Sequence, residues 1–275
     1  MTANEGDKFG ISGKVALVTG GNRNIGRAIA LTLASVGVHP MIIFNSDEEA
    51  ASKVCEEARE FGVNSSIYRA DLRDVARLQD IITQIEVRYQ GIDILVNNAA
   101  TRPNTKIANI SIKEWDDVFA INLKAPFFLA QTALPYMVRN GWGRIINIGG
   151  SDGYQGKAHR AHGVSTKMGI VGLSRALASE TARFGVTVNT LVPGMIDTIR
   201  PRPDWYPGID DGFSERKLRI PMARLGTLQE VANACLFLAS DMASYTTGQE
   251  IFVSGGTCPL VRQPLEEYEP EDFSA

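Results

Sequence analysis

The stretch from Lys14 to Ala28, reading Lys-Val-Ala-Leu-Val-Thr-Gly-Gly-Asn-Arg-Asn-Ile-Gly-Arg-Ala, constrains the fold of the whole chain. Val15 to Val18 form an apolar, β-branched run too short for a helix, the mark of a strand buried on both faces. Beyond a turn of small residues, Ile25, Ala28, Ile29, Leu31 and Leu33 recur at helical spacing. A strand, a tight turn and a helix in that order aim backbone N–H groups and the positive end of a helix at one spot, which suits a diphosphate. Gly20 and Gly26 allow the turn and the close approach of helix to strand. Asn22, Arg23, Asn24 and Ile25 are the other residues placed to line that spot. An ordinary βα loop is the plain alternative. The position of the turn at the head of a long βαβ series favours nucleotide binding.

A chain of 275 residues that is 44% hydrophobic can bury one large core as a single domain. A net charge of −3 gives no reason to expect a nucleic-acid partner. Cys55, Cys235 and Cys258 lie far apart, with neither metal-ligand spacing nor a disulfide framework, so no metal is expected and a reducing cytoplasm is the expected setting. Residues 1–12 form a polar arm without the apolar core of a signal segment. No run approaches the roughly 18 apolar residues of a membrane span. Residues 13–256 read as one domain, and 257–275 as an acidic, solvated tail.

Strands alternate with helices along that domain. Pro40–Phe44, Ser65–Ala70, the run from Gly91, Gly143–Ile148, Val186–Val192 and Gly248–Val253 read as strands. Helices are expected at Val75–Tyr89, as one long element at Trp115–Asn140, after Ala158, and at Leu228–Ser240. Asn45, Ser46 and Asp47 supply capping groups for the helix after the second strand, and Asp71 is a candidate cap for the next. The pattern predicts an α/β fold, a doubly wound parallel sheet with helices on both faces. Pro201, Pro203 and Pro207 exclude regular structure from Arg200–Gly208.

Taken together, Thr19-Gly20 with Gly26, Asn97-Asn98-Ala99-Ala100, Asn122, Lys167 and Pro193-Gly194 resemble the ordered motifs of the short-chain dehydrogenase/reductase family, over about residues 11–256. The resemblance implies a single Rossmann-like domain and an oxidoreductase acting on a carbonyl or hydroxyl. It implies a nicotinamide cofactor held by the glycine turn, by Asn98 and Ala99, and by Asp71 and Leu72 at the adenine. It also implies Lys167 at the ribose and Pro193, Gly194, Ile196 and Thr198 toward the nicotinamide. Members that prefer NAD carry an acid at the end of the second strand; here Asn45 and Ser46 stand there, and Arg23 can meet a 2′-phosphate. NADP is therefore expected, with NAD possible. Asn122 matches the residue that holds a water in the family's proton relay. The helices around Asn122 and Lys167 match those that build a four-helix interface, which implies a homo-oligomer, a tetramer by family habit. The segment 199–220 falls where the family keeps its substrate lid, making Trp205 and Tyr206 candidate lining residues.

The chain departs from the family pattern where chemistry is done. Asn24 stands for the middle glycine of the turn, a replacement that asparagine's tolerance of positive φ allows. Ala100 stands for the glycine of the asparagine motif. Four residues before Lys167, where a proton-transferring tyrosine is expected, the residue is Gly163. Thirteen before that, in place of a carbonyl-orienting serine, is Gly150. A positioned acid or base is worth about a hundred- to ten-thousand-fold in rate, so another group must supply it if carbonyl reduction persists. Candidates crowd the gap: Asp152, Tyr154, His159 and His162, with Ser151 beside them and Arg160 as a possible site for an anionic substrate. On a continuous helix His159, Gly163 and Lys167 would share one stripe. Asp152 and His162, with Asn122 and Lys167, are the catalytic candidates, and Tyr154 and His159 the substrate-binding ones. Three functions remain open: an oxidoreductase with a rebuilt proton relay, a hydrolase, lyase or isomerase using His162 and Asp152, and a silent nucleotide-binding protein.

Overall fold

The computed structural model describes residues 7–198 and 220–258. All seven of its strands run parallel in one sheet: β1 (Val15–Thr19), β2 (His39–Phe44), β3 (Ser66–Arg69), β4 (Ile94–Asn97), β5 (Gly143–Ile148), β6 (Val186–Pro193) and β7 (Glu250–Val253). Their order is β3-β2-β1-β4-β5-β6-β7, the doubly wound arrangement expected from the alternating pattern. The winding reverses between β1 and β4, so their carboxyl ends open a crevice where such folds bind ligands.

Helices α1 (Asn24–Ala34), α2 (Glu48–Arg59), α3 (Val75–Tyr89), α4 (Ile112–Phe119), α5 (Ala125–Arg139), α6 (Asp152–Gln155), α7 (Ala161–Thr181) and α8 (Leu228–Ala239) complete the domain. The sheet separates two apolar layers. Leu17, Ile43 and Leu95 pack with Ile81 and Ile85 of α3, Leu129 of α5 and Leu177 of α7. Val18, Val96 and Ile146 pack on the other side with Ile29 and Leu33 of α1 and Val231 and Leu238 of α8. Burial on both faces is why β1 and β4 read as largely apolar runs without alternation. Each fully buried aliphatic side chain contributes about 1.5–3 kcal/mol, and the two layers make the sheet a rigid platform for its loops.

Several local expectations are corrected. The long helix expected over Trp115–Asn140 starts at Ile112 and is interrupted by a π-helical turn, Ala120–Lys124, that contains Asn122. Asp74, not Asp71, caps α3 by accepting from Arg77 N, and Asp71 instead turns back onto Arg73. His159 has φ +64° and precedes α7, so the stripe through His159, Gly163 and Lys167 does not form. Gly163 sits in the first turn of α7, not in a helix interior. Residues 199–219 of the lid segment, with Trp205 and Tyr206, residues 1–6 of the N-terminal arm and residues 259–275 of the acidic tail lie outside the described residues.

Candidate active site

The nucleotide half of the crevice is built by the β1–α1 turn. Gly20 adopts φ +62° and Asn24 φ +47°, so asparagine does occupy the left-handed conformation that the middle position demands. A Cβ on Gly26 would lie 2.2 Å from the Gly20 carbonyl oxygen, so only glycine lets α1 approach the turn this closely. The N-cap residue, Arg23, makes no side-chain cap and the first turn holds no acid, whereas α2, α3, α4 and α8 each carry a capping side chain. With no cap from the Arg23 side chain and no acid in its first turn, this end of α1 keeps the positive character that suits a diphosphate. This cradle fits a dinucleotide.

A second clamp holds the turn against β4, and the sequence reading missed it. Thr19 Oγ1 accepts from Asn98 N and Ala99 N, both at 3.0 Å. Asn98 Nδ2 in turn donates to Thr19 O at 2.9 Å and Gly20 O at 3.2 Å. A threonine just before a glycine at a strand end was the available signal. Arg69, on the last residue of β3, was also missed; its Nε donates to Asn45 O at 3.2 Å, beside the exposed Asn45 and Ser46. Arg23 is likewise exposed at the turn. Asp71 forms a fork with Arg73, which also reaches Asp117; the Arg73 guanidinium holds the Asp71 carboxyl below its ordinary range.

The chemical half lies past β5. Lys167 reaches from α7 to donate to Ile148 O at 2.7 Å and is half-buried. Burial, helped by the Arg102 guanidinium and opposed by Asp152, pulls it down to about 7. A Cβ on Gly150 would meet only Lys167 methylenes, at 3.9 Å, and a Cβ on Gly163 nothing nearer than Arg160 Cβ at 4.0 Å. Asn122 is buried in the π turn, where its amide donates to Thr101 O (2.9 Å) and Thr166 Oγ1 (3.1 Å) and accepts from Thr101 N (2.9 Å). Single π turns inside α-helices cluster at functional sites, and this one pins the loop after β4 to α7.

The remaining candidates separate. Asp152 Oδ2 accepts from Arg102 Nη2 at 3.2 Å and Arg160 Nη1 at 3.4 Å, which puts it in the group around Lys167. His162 is fully buried between helices, with Nε2 2.7 Å from Glu114 Oε1 of α4 and its ring beside Trp115. The Tyr154 hydroxyl donates to Glu250 of β7 and its ring meets Phe252 edge-on; burial and that carboxylate push the phenol well above its ordinary range. His159 is exposed, and its carbonyl accepts from Thr105 N at 2.8 Å. On the cofactor side Ile196 is buried and bridges to Gly226, Thr198 is half-buried, and Gly194 packs on Ser254, where a Cβ would lie 2.7 Å from the Ser254 Cα. Pro193 O accepts from Ser151 N, joining the end of β6 to the loop after β5.

The profile of the enoyl-(acyl carrier protein) reductase family matches residues 20–258, from the glycine turn to the end of the described sheet. The 3-oxoacyl-[acyl-carrier-protein] reductase FabG of Staphylococcus aureus is 39% identical over 88% of this chain and 97% of its own length. The chain belongs to the short-chain dehydrogenase/reductase family. It is an oxidoreductase of that family by kinship and fold. A 3-oxoacyl (acyl-carrier-protein) reductase of Agrobacterium tumefaciens, solved with NADP bound, superposes with a TM-score of 0.84 at 32% identity, covering 92% of this chain and 98% of that one. A Beutenbergia cavernae protein described as an NAD(P) dependent gluconate 5-dehydrogenase, also with bound NADP, gives a TM-score of 0.84 at 34% identity over 90% and 98%.

Proposed function

We propose that the protein is an NADP-dependent oxidoreductase that interconverts a carbonyl and a hydroxyl group on a small molecule through a proton relay in which Lys167 takes the place of the missing phenol. Gly150 and Gly163 stand where the family's serine and tyrosine belong. The observation that carries this reading is Lys167, held on Ile148 O beside Gly150 and brought to about 7. A group poised near neutrality can both give and take a proton, which is what a reversible reaction at neutral pH requires.

The β1–α1 turn, Asn98 and Ala99, Asp71 and Leu72, and the segment from Pro193 to Thr198 would hold the dinucleotide, with Arg23 and Arg69 beside the 2′ position near Asn45 and Ser46. NADPH, when bound, supplies the hydride that reduces the carbonyl carbon. Lys167 supplies the proton to the carbonyl oxygen as it becomes a hydroxyl, and in the reverse direction removes it. Asn122 fixes the loop at Thr101 against Thr166, one residue from Lys167. Asp152 holds Arg102 and Arg160 in place. His162 steadies the first turn of α7 through Glu114, a positioning role in keeping with its complete burial. The buried thiols of Cys55, Cys235 and Cys258 suit a reducing cytoplasm.

Nicotinamide absorbance tests the reading directly. The protein should oxidise NADPH in the presence of a carbonyl panel, with NADPH preferred over NADH, and Arg23→Ala should erode that preference. Lys167→Gln should lower kcat by about a hundredfold or more. No absorbance change with any member of the panel, or a Lys167→Gln enzyme as fast as wild type, would overturn it.

A further inference from the structure

Helix α7 starts differently from most of its neighbours. Its N-cap residue, Arg160, makes no side-chain cap and its first turn holds no acid, whereas α2, α3, α4 and α8 are each capped from the N-cap position. The acceptor comes instead from inside the turn. Gly163 N, one of the donors that a helix start leaves without a partner, donates to Nδ1 of His162 at 2.8 Å. The other side of Gly163 is held as well. Its carbonyl accepts from Thr166 Oγ1 at 2.9 Å, and that hydroxyl accepts from Asn122 Nδ2 at 3.1 Å. Glycine loses more backbone freedom on folding than any other residue, so ties on both of its peptide groups keep this turn ordered.

These bonds fix the state of the ring. A backbone N–H can only donate, so Nδ1 is the acceptor and carries no proton. The ring proton is on Nε2, which donates to Glu114 Oε1 of α4 at 2.7 Å. A doubly protonated ring would set a second donor against the Gly163 N–H. Glu114 is itself placed by its own helix, because its backbone N–H donates to the capping Ser111 Oγ at 3.1 Å. His162 has no exposed surface, and Trp115 flanks it at 6.5 Å between ring centroids. One imidazole thus joins the first turns of α4 and α7. Gly163 stands four residues before Lys167, so its carbonyl is the helical acceptor for the Lys167 N–H. The turn that His162 ties is the one on which Lys167 rests.

We propose that His162 is a positioning residue for Lys167, held as the neutral Nε2–H tautomer, with Nδ1 fixing the first turn of α7 and Nε2–H anchoring that turn to Glu114. This rests on the redox reading for its effect on turnover, but not for its effect on the titration of Lys167.

Asparagine and glutamine divide the two duties of the ring. The asparagine oxygen can take the place of Nδ1, and the glutamine nitrogen that of Nε2. Two readouts separate the effects. Labelling of Lys167 by acetic anhydride across a pH series, quantified by mass spectrometry, follows its titration without any turnover, and NADPH oxidation against a carbonyl panel follows kcat. The wild-type labelling midpoint should lie at about 7. Arg102 and Asp152 also act on this ammonium, and none of the variants alters them. His162→Gln should release the Gly163 N–H, let water reach the ammonium and raise the midpoint by about one pH unit or more. In the same variant kcat should fall about tenfold or more, with the KM for NADPH little changed. His162→Asn should rescue the midpoint, because it restores an acceptor for Gly163. Glu114→Gln should keep it, because an amide oxygen accepts from Nε2–H as a carboxylate does. Shift and rescue in a protein that turns over no carbonyl would leave the positioning role standing and remove the redox reading. Turnover with a His162→Gln midpoint equal to that of wild type would do the reverse, whatever the melting temperature does. A midpoint raised as far in His162→Asn as in His162→Gln also overturns the positioning role, and a raised midpoint in Glu114→Gln overturns the neutral tautomer. Should His162→Gln not fold, the other two variants decide: both midpoints kept supports the proposal, and either one raised overturns it.

Discussion

At the scale of single residues, the proposed chemistry depends on Lys167. Burial brings its ammonium from the ordinary lysine range to about 7. The sign for stability follows. Because the folded pKa is depressed, the unfolded chain binds the extra proton between about pH 7 and the ordinary lysine range, so this residue makes stability rise with pH across that window. A Cβ at Gly163 would meet nothing nearer than the Arg160 Cβ at 4.0 Å, so Gly163→Tyr starts from an unobstructed Cβ and brings a phenol beside Arg160. Turnover of the native substrate should fall by tenfold or more with little change in melting temperature, read from kcat/KM and calorimetry; a rise in turnover would mark a decayed reductase. Gly163 and Gly150 were visible in the sequence because spacing to Lys167 exposes them. The Arg102–Asp152–Arg160 group was only half visible, because a contact between three distant segments leaves no periodic trace.

At the scale of elements, the strands and helices were legible because burial on both faces of a parallel sheet writes continuous apolar runs, and helices write a 3.6-residue period. The nucleotide turn was legible for a related reason: its glycines are demanded by backbone geometry. Gly26→Ala tests that demand. The added methyl would meet the Gly20 carbonyl at 2.2 Å and Asn98 Nδ2 at 2.6 Å, so α1 must shift. Nucleotide affinity should drop by at least tenfold and thermal stability should fall; unchanged NADP titration would mean the turn is not the cradle. The π turn around Asn122 was not legible. An α-helix and a π turn share the same apolar stripe at this length, and the extra residue is fixed by the tertiary bonds of Asn122 to Thr101 and Thr166. The cap of α3 was misplaced for a similar reason. Asp71 and Asp74 are both good capping residues, but α3 starts at Val75, which puts Asp74 at the N-cap and leaves Asp71 to fork with Arg73.

At the scale of the molecule, α4, α5 and α7 present a face that one chain leaves incompletely covered. Phe119, Leu123, Phe127, Gly169 and Leu173 line a groove of about 620 Å³ there, with Trp115, Phe127 and Met168 over a third exposed. A second copy is the expected cover, in line with the oligomer that the family resemblance implied. Light scattering should report a mass well above the 29.9 kDa of one chain, and Phe127→Asp should shift it down; a wild-type monomer at micromolar concentration would remove the oligomer. No described helix is long and apolar enough to cross a membrane.

The central claim, that Lys167 gives and takes the proton, meets its most direct test in the pH dependence of kcat in both directions. Reduction needs the protonated ammonium and oxidation the neutral amine. Reduction should decline and oxidation rise through about pH 7, and Lys167→Arg, which keeps the positive charge but cannot release its proton, should flatten both profiles and nearly abolish oxidation. Profiles that keep the same midpoint in Lys167→Arg would contradict it, because the titrating group would then lie elsewhere.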